Sequence, residues 1–202
     1  MPPRWPDASL AILAGGAGTR LGSVPKGLLR LQGRTFLDRL LDLQPAFGET
    51  FLVATESASY AGLGVRAIPD VIENAGAPGG VHAALTQAKS PWVFVAAVDL
   101  PMLTLPVVAQ LALQLDDSVD VVCYSTGRRF EPLAAFYRSS LAQQLEPKVR
   151  SGASLQELIA GVRVRALDER ELRRVDASGQ ALMNVNTPED LQRVGGARPA
   201  GR

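Results

Sequence analysis

Apolar residues in this chain gather in short uninterrupted runs separated by stretches of helical periodicity. The first run is Ser9-Leu10-Ala11-Ile12-Leu13-Ala14, and others follow at residues 50–54, 65–68, 92–98 and 119–124. Runs of this length predict strands buried on both faces. Between the last two, Leu105, Val108, Leu111 and Leu115 recur at helical spacing, with Thr104 placed as a cap and Pro106 tolerated in the first turn. Thr35-Phe36-Leu37-Asp38 and Ser154-Leu155-Gln156-Glu157 read as capped helix starts, the second a full S-x-x-E capping box. Helices are expected near 35–45 and 154–160, and Gly79 to Leu85 reads as the first turn of another.

Strands alternating with helices predict a single α/β domain over residues 9–194, with a mostly parallel sheet covered on both faces. Ligands on such sheets sit outside the carboxyl ends of the strands. The ends, 1–8 and 195–202, are rich in Pro, Gly and small residues and are expected to be flexible.

Composition removes several classes of function. The 202 residues carry 21 Lys and Arg against 20 Asp and Glu, a formal charge of +1, so no strong field exists to hold nucleic acid or an anionic membrane. No apolar run approaches the roughly 20 residues that span a bilayer, and no basic segment followed by a long apolar core opens the chain. The lone Cys123 excludes an internal disulfide and the lone His82 a multi-histidine metal centre. The reducing cytoplasm is the expected compartment. A Ser-His-acid triad would have to run through His82, which no G-x-S-x-G elbow accompanies.

Chemistry is concentrated in three places. After the first run comes Gly15-Gly16-Ala17-Gly18-Thr19-Arg20-Leu21-Gly22-Ser23-Val24-Pro25-Lys26-Gly27. Such glycines let backbone N–H groups wrap an anion, while Arg20 offers a planar fork and Lys26 a point charge, a set suited to a polyphosphate. The spacing fits neither the Walker A loop nor the dinucleotide fingerprint. Only three lysines occur, Lys26, Lys89 and Lys148, so a lysine inside this loop is informative. Next, the run ending Val95-Ala96-Ala97-Val98 stops at Asp99-Leu100-Pro101. A carboxylate there faces the ligand crevice and suits Mg²⁺, and a polyphosphate cradle and magnesium need one another. Last, in Met183-Asn184-Val185-Asn186-Thr187-Pro188-Glu189-Asp190-Leu191, helix capping explains Thr187 to Leu191 but not the two asparagines, whose amides can reach a substrate.

Together LAGGAGTRLG, PKGLL, VDLP and NVNTPEDL, in this order, resemble the molybdenum cofactor guanylyltransferases (MobA-like) of the nucleotidyltransferase superfamily, over roughly residues 9 to 194. Asp70 followed by Gly76-Ala77-Pro78-Gly79-Gly80 is similar to the family's acidic residue and glycine-rich loop, and the segment from Arg129 to Tyr137 to one near the acceptor. The resemblance implies a single-domain, Rossmann-like three-layer sandwich of the nucleotide-diphospho-sugar transferase type. It further implies transfer of GMP from GTP to molybdopterin, with Mg²⁺ as cofactor and transient contact with molybdoenzymes or other cofactor-biosynthesis proteins. Carried over residue by residue, it gives Arg20, Lys26 and Asp99 catalytic roles, with Asp99 on the metal. Leu13, Ala14, Gly15, Gly16, Gly18, Asp70 and Gly79 would complete the nucleotide site, and Asn184 and Asn186 would meet the acceptor.

Pro25 stands where the family has Asp, Thr55-Glu56 where it has Asn-Arg, and Gly76 to Gly80 where it has G-P-L-A-G. A cytidylyl or sugar-phosphate transferase therefore stays open, as does, from another class, a silent nucleotide-binding regulator, which would have no use for Asp99.

Overall fold

Strand β1 (Trp5–Leu13) is buried without interruption from Ala8 to Leu13, because it runs through the middle of the sheet with helices on both sides. Its alternate residues serve two cores: Leu10 and Ile12 point to one, Ala11 and Leu13 to the other. The computed structural model describes residues 1–15, 25–54, 60, 62–72 and 74–195. Parallel to β1 lie β4 (Phe47–Val53) on one side and β6 (Trp92–Ala97) on the other, and β5 (Arg66–Ile68) extends the sheet beyond β4. Past β6 come β9 (Ala134–Arg138), antiparallel to its neighbours, then β7 (Val121–Thr126) and β10 (Val164–Leu167), which is parallel to β7. The order is β10-β7-β9-β6-β1-β4-β5, with β8 (Arg129–Phe130) paired to β7. The separate pair β2 (Arg30–Leu31) and β3 (Arg34–Thr35) forms a small hairpin.

One face of the sheet is covered by α1 (Phe36–Leu41), α3 (Leu105–Ala112) and α7 (Pro188–Arg193), with α6 (Glu169–Arg173) at its edge. The other is covered by α2 (Gly76–Gln87), α4 (Leu141–Arg150) and α5 (Leu155–Ala160). This is the expected three-layer α/β sandwich with a mostly parallel sheet. The helix starts at Thr35, Ser154 and Thr187 form capping boxes, as does Asp168, which pattern reading passed over.

Several expectations are corrected. The first strand begins at Trp5 rather than Ser9, with the indole packed on Phe47 at 5.3 Å and Phe136 at 6.2 Å, so residues 5–8 belong to the strand. Of the other end expected to be flexible, only Gly195 falls within the described residues. Thr104 sits at the cap position of α3 in extended conformation, but its hydroxyl makes no capping bond. One of the two N–H groups a cap serves is missing there, because Pro106 occupies the second helical position. The segment 129–137, read only by its resemblance, contributes β8 and β9, and β10 was not foreseen. Gly76 to Gly80 are helix rather than loop, which puts His82 in the second turn of α2 instead of the first. The chain turns into α2 through left-handed backbone at Asn74 (φ 58°) and Gly76 (φ 58°), where glycine is the residue of least strain.

Candidate active site

Leu13, Val53 and Ala97 are register partners at the carboxyl ends of the three central parallel strands. All three line one cavity of about 760 Å³, where open α/β sheets place ligands. Its apolar walls include Pro69, Val98 and Leu133, and its polar groups are Lys26, Asp70, Asn74 and Asp99. Gly15, Gly76, Ala77 and Gly80 bring backbone to its surface. A Cβ on Gly80 would stand 3.3 Å from Leu13 Cδ1 and 3.7 Å from Asp70 Oδ1, so glycine keeps open the slot between them.

Asp99 is aimed by the exit of β6. Val98 donates its N–H to Leu13 C=O at 3.0 Å, and Leu100 donates to Ala97 C=O at 3.1 Å, which turns the chain sharply at the strand end. Lys26 opens a short 3₁₀ turn, Lys26–Leu28, directly after Pro25. Its ammonium donates to Asp99 Oδ2 at 3.2 Å and to Asn186 Oδ1 at 2.5 Å. Asn186 is brought there by Val185, which is fully buried and donates its N–H to Asp99 C=O at 2.8 Å. Gly27 lets this turn close on Tyr60, since a Cβ would lie 2.9 Å from Tyr60 Cε1 and 3.2 Å from Val98 Cγ2.

The second carboxylate oxygen, Asp99 Oδ1, is buried and finds no hydrogen-bond partner among the described residues. A buried carboxylate oxygen without a donor is destabilising, and a cation relieves it. No group of three or more His, Cys, Asp or Glu that could hold a metal gathers among the described residues. One carboxylate with an unpaired oxygen suits a hard cation that draws its remaining ligands from elsewhere.

Of the expected site residues, Leu13, Gly15, Lys26, Asp70 and Asp99 line the cavity. Asn186 joins them through Lys26. Ala14 does not line it: its N–H donates to Val53 C=O at 2.8 Å and its C=O accepts from Tyr60 Oη at 3.2 Å, so its backbone is occupied by the fold. Gly79 faces the other way, where a Cβ would come within 2.7 Å of Ala75 Cβ. Its neighbour Gly80 takes the position at the cavity. Asn184 is exposed and stands apart from the lining. Gly16, Gly18 and Arg20 lie outside the described residues, as do Thr55 and Glu56. Val53, Pro69, Asn74, Gly76, Ala77, Gly80, Ala97, Val98 and Leu133 were missed. Val53 had a signal, lying one residue before the end of a legible apolar run, whereas Leu133 arrives by the antiparallel return of β9, which no local pattern announces.

His82 borders a different cavity, a groove of about 520 Å³ shared with Glu146 and Gln143 of α4. It is buried, its Nδ1 has no partner among the described residues, and its Nε2 lies 4.0 Å from Glu146 Oε2. Burial pushes its pKa down against the pull of Glu146, and Arg150 adds to the lowering.

A family model for the MobA-like NTP transferase domain matches residues 10–171. The chain belongs to this family. The MobA-like domain is 31% identical to the molybdenum cofactor guanylyltransferase of Desulfosudis oleivorans over 193 residues, covering 95% of this chain and 96% of that one. Among solved structures, molybdopterin-guanine dinucleotide biosynthesis protein A from Archaeoglobus fulgidus superposes with a TM-score of 0.79 at 27% identity, covering 92% and 96% of the two chains. The 2-C-methyl-D-erythritol 4-phosphate cytidylyltransferase of Thermus thermophilus shares the fold, with a TM-score of 0.63 at 21% identity over 92% and 96%. This MobA-like chain is thus a nucleotidyltransferase by family. No helix among its described residues is long and apolar enough to cross a membrane.

Proposed function

We propose that the protein transfers GMP from GTP to the terminal phosphate of molybdopterin, forming the guanine dinucleotide cofactor and releasing pyrophosphate. The observation that carries this reading is the Lys26 ammonium held between Asp99 and Asn186 at the carboxyl ends of the central strands, in a chain that matches 96% of the length of a molybdenum cofactor guanylyltransferase. An acceptor phosphate oxygen attacks the α-phosphorus. The bond from that phosphorus to the α,β-bridging oxygen breaks, and pyrophosphate leaves with the electron pair.

A phosphate nucleophile is already ionised at neutral pH, so no general base is needed. That agrees with a lone histidine that borders another cavity. The protein's work is alignment and charge neutralisation. Lys26, with Arg20 and the amides of Gly15, Gly16 and Gly18, would hold the phosphates. Asp99 is the residue that would hold Mg²⁺, which when bound neutralises charge developing on the polyphosphate. The slot between Leu13, Gly80 and Asp70 would take the base, with Asp70 as its polar contact. Asn184 and Asn186 would meet the acceptor.

The test is pyrophosphate release from each of the four nucleoside triphosphates with magnesium and either molybdopterin or a sugar phosphate as acceptor. Turnover with GTP above the other three is expected. Preference for CTP would reassign the base, release only with a sugar phosphate as acceptor would reassign the acceptor, and release with none of the acceptors would leave a nucleotide-binding regulator as the better reading.

A further inference from the structure

Asp190 lies outside the cavity lining, in the first turn of α7, yet its bonds reach the phosphate-side lysine. Its Oδ2 accepts from the N–H of Thr187 at 3.0 Å, as an ordinary capping box requires, and also from the N–H of Asn186 at 3.1 Å, one residue before the cap. The second bond satisfies no donor of the helix. It fixes the peptide from which the Asn186 amide reaches the Lys26 ammonium, while the preceding Val185 is fixed by Asp99 C=O. The first cause of the lowered Asp190 pKa is this same backbone donor, Asn186. Arg193 flanks the other carboxylate oxygen, Oδ1, at 3.6 Å.

We infer that Asp190 is a positioning residue for the reaction, acting through Asn186 on Lys26. An ammonium on a four-carbon stem has three donors and many rotamers. With Asp99 taking one proton and Asn186 a second, the third is directed. Loosening Asn186 restores the freedom of the stem, so Lys26 no longer meets the phosphates in one pose. The inference rests on the reading above, in which Lys26 binds the nucleotide's phosphates, and it names the device that sets that lysine.

Thr187→Ala separates this role from helix capping, because it removes the hydroxyl that accepts from Asp190 N–H while leaving the Asp190 to Asn186 bond intact. We expect Asp190→Ala and Thr187→Ala to lower Tm by similar amounts, but only Asp190→Ala to lower kcat, by about tenfold, with KM for GTP moving much less. Asp190→Asn keeps an accepting oxygen and should recover most of the rate. In an Asn186→Ala background, Asp190→Ala should bring no further loss.

A second readout does not depend on turnover. The chain has only three lysines, so the Lys26 ammonium signal in a nitrogen-15 NMR spectrum can be assigned by its disappearance in Lys26→Arg. Asp190→Ala should shift that signal and leave those of Lys89 and Lys148 in place, and Thr187→Ala should move none of them. The inference is overturned if the Lys26 signal is unmoved in Asp190→Ala, if Thr187→Ala slows turnover equally, or if the two losses multiply in the double variant. A wild-type enzyme inactive on GTP and molybdopterin would overturn the functional reading instead, with the spectrum still judging whether Asp190 sets Lys26.

Discussion

Lys26 and Asp99 are 73 positions apart in sequence and 3.2 Å apart at the cavity, and each tests the other. Asp99→Asn keeps the shape but removes the anion that would hold a cation, and it leaves Lys26 facing a neutral amide. Turnover is expected to fall by about 10²- to 10³-fold with the far-UV circular dichroism spectrum unchanged. Magnesium-dependent rates equal to wild type would take Asp99 out of the metal role. Lys26→Ala should raise KM for nucleotide and lower kcat together, whereas Lys26→Arg should recover only part of the loss. A guanidinium spreads its charge over a plane, so it does not reproduce the point contact that the ammonium makes with both Asp99 and Asn186. Steady-state kinetics of the pair decide the matter, and wild-type parameters in Lys26→Ala would return it to an ordinary loop lysine. Both residues were legible in the sequence because their types are uncommon in their contexts: a lysine in a glycine-rich loop and a carboxylate closing an apolar run. The bond from Asn186 to Lys26 was not legible, because it joins segments 160 residues apart.

Helices and strands show the same division between local and tertiary causes. The caps at Thr35, Ser154 and Thr187 were visible as short motifs, the one at Ser154 as a full box, and all three form boxes, since each bond closes within four residues. Thr104 has the same chemistry and makes no capping bond. Ser154→Ala should therefore destabilise the protein by about 1 kcal/mol, with Thr104→Ala near zero through capping, as denaturant melts of the two variants will show. At the paired starts of β1 and β4, a Cβ on Gly48 would lie only 2.0 Å from Pro6 C=O, a backbone contact that cannot rotate away. Gly48→Ala should lower Tm markedly, and an unchanged melt would mean that Trp5 does not pair with Phe47 there. Between α2 and α4, His82 has its pKa lowered mainly by burial, so the unfolded chain takes up the proton more readily. Its contribution to stability is full above the ordinary value of 6.5 and is lost as pH falls through the lower folded value. Wild type should accordingly lose more stability than His82→Gln between about pH 7 and pH 5, while His82→Ala keeps most of the catalytic rate.

Over the whole molecule, a ligand bridging Lys26, Asp99 and the strand ends joins parts of the chain that only the native state brings together, so binding is linked to folding. GTP with magnesium at about 100 times its dissociation constant should add roughly 2.7 kcal/mol, a Tm rise of about 5–10 °C for a chain of this size. A chelator should remove most of it, and equal shifts with and without the metal would argue against a cation at Asp99. The sequence by itself determined the elements and singled out two residues that the cavity brings together: buried strands from apolar runs, helix starts from caps, and Lys26 and Asp99 from the company they keep along the chain. These follow from interactions within a few residues, where covalent proximity makes pattern and structure nearly the same thing. Tertiary structure decided the rest. The antiparallel β9 that delivers Leu133, the choice of Gly80 over Gly79 at the cavity, the ordering of Trp5 against Phe47 and Phe136, and the bond from Asn186 to Lys26 all depend on which distant surfaces meet. That is fixed by how two cores fill around one sheet, and side-chain volumes in three dimensions leave no periodic trace along a single chain.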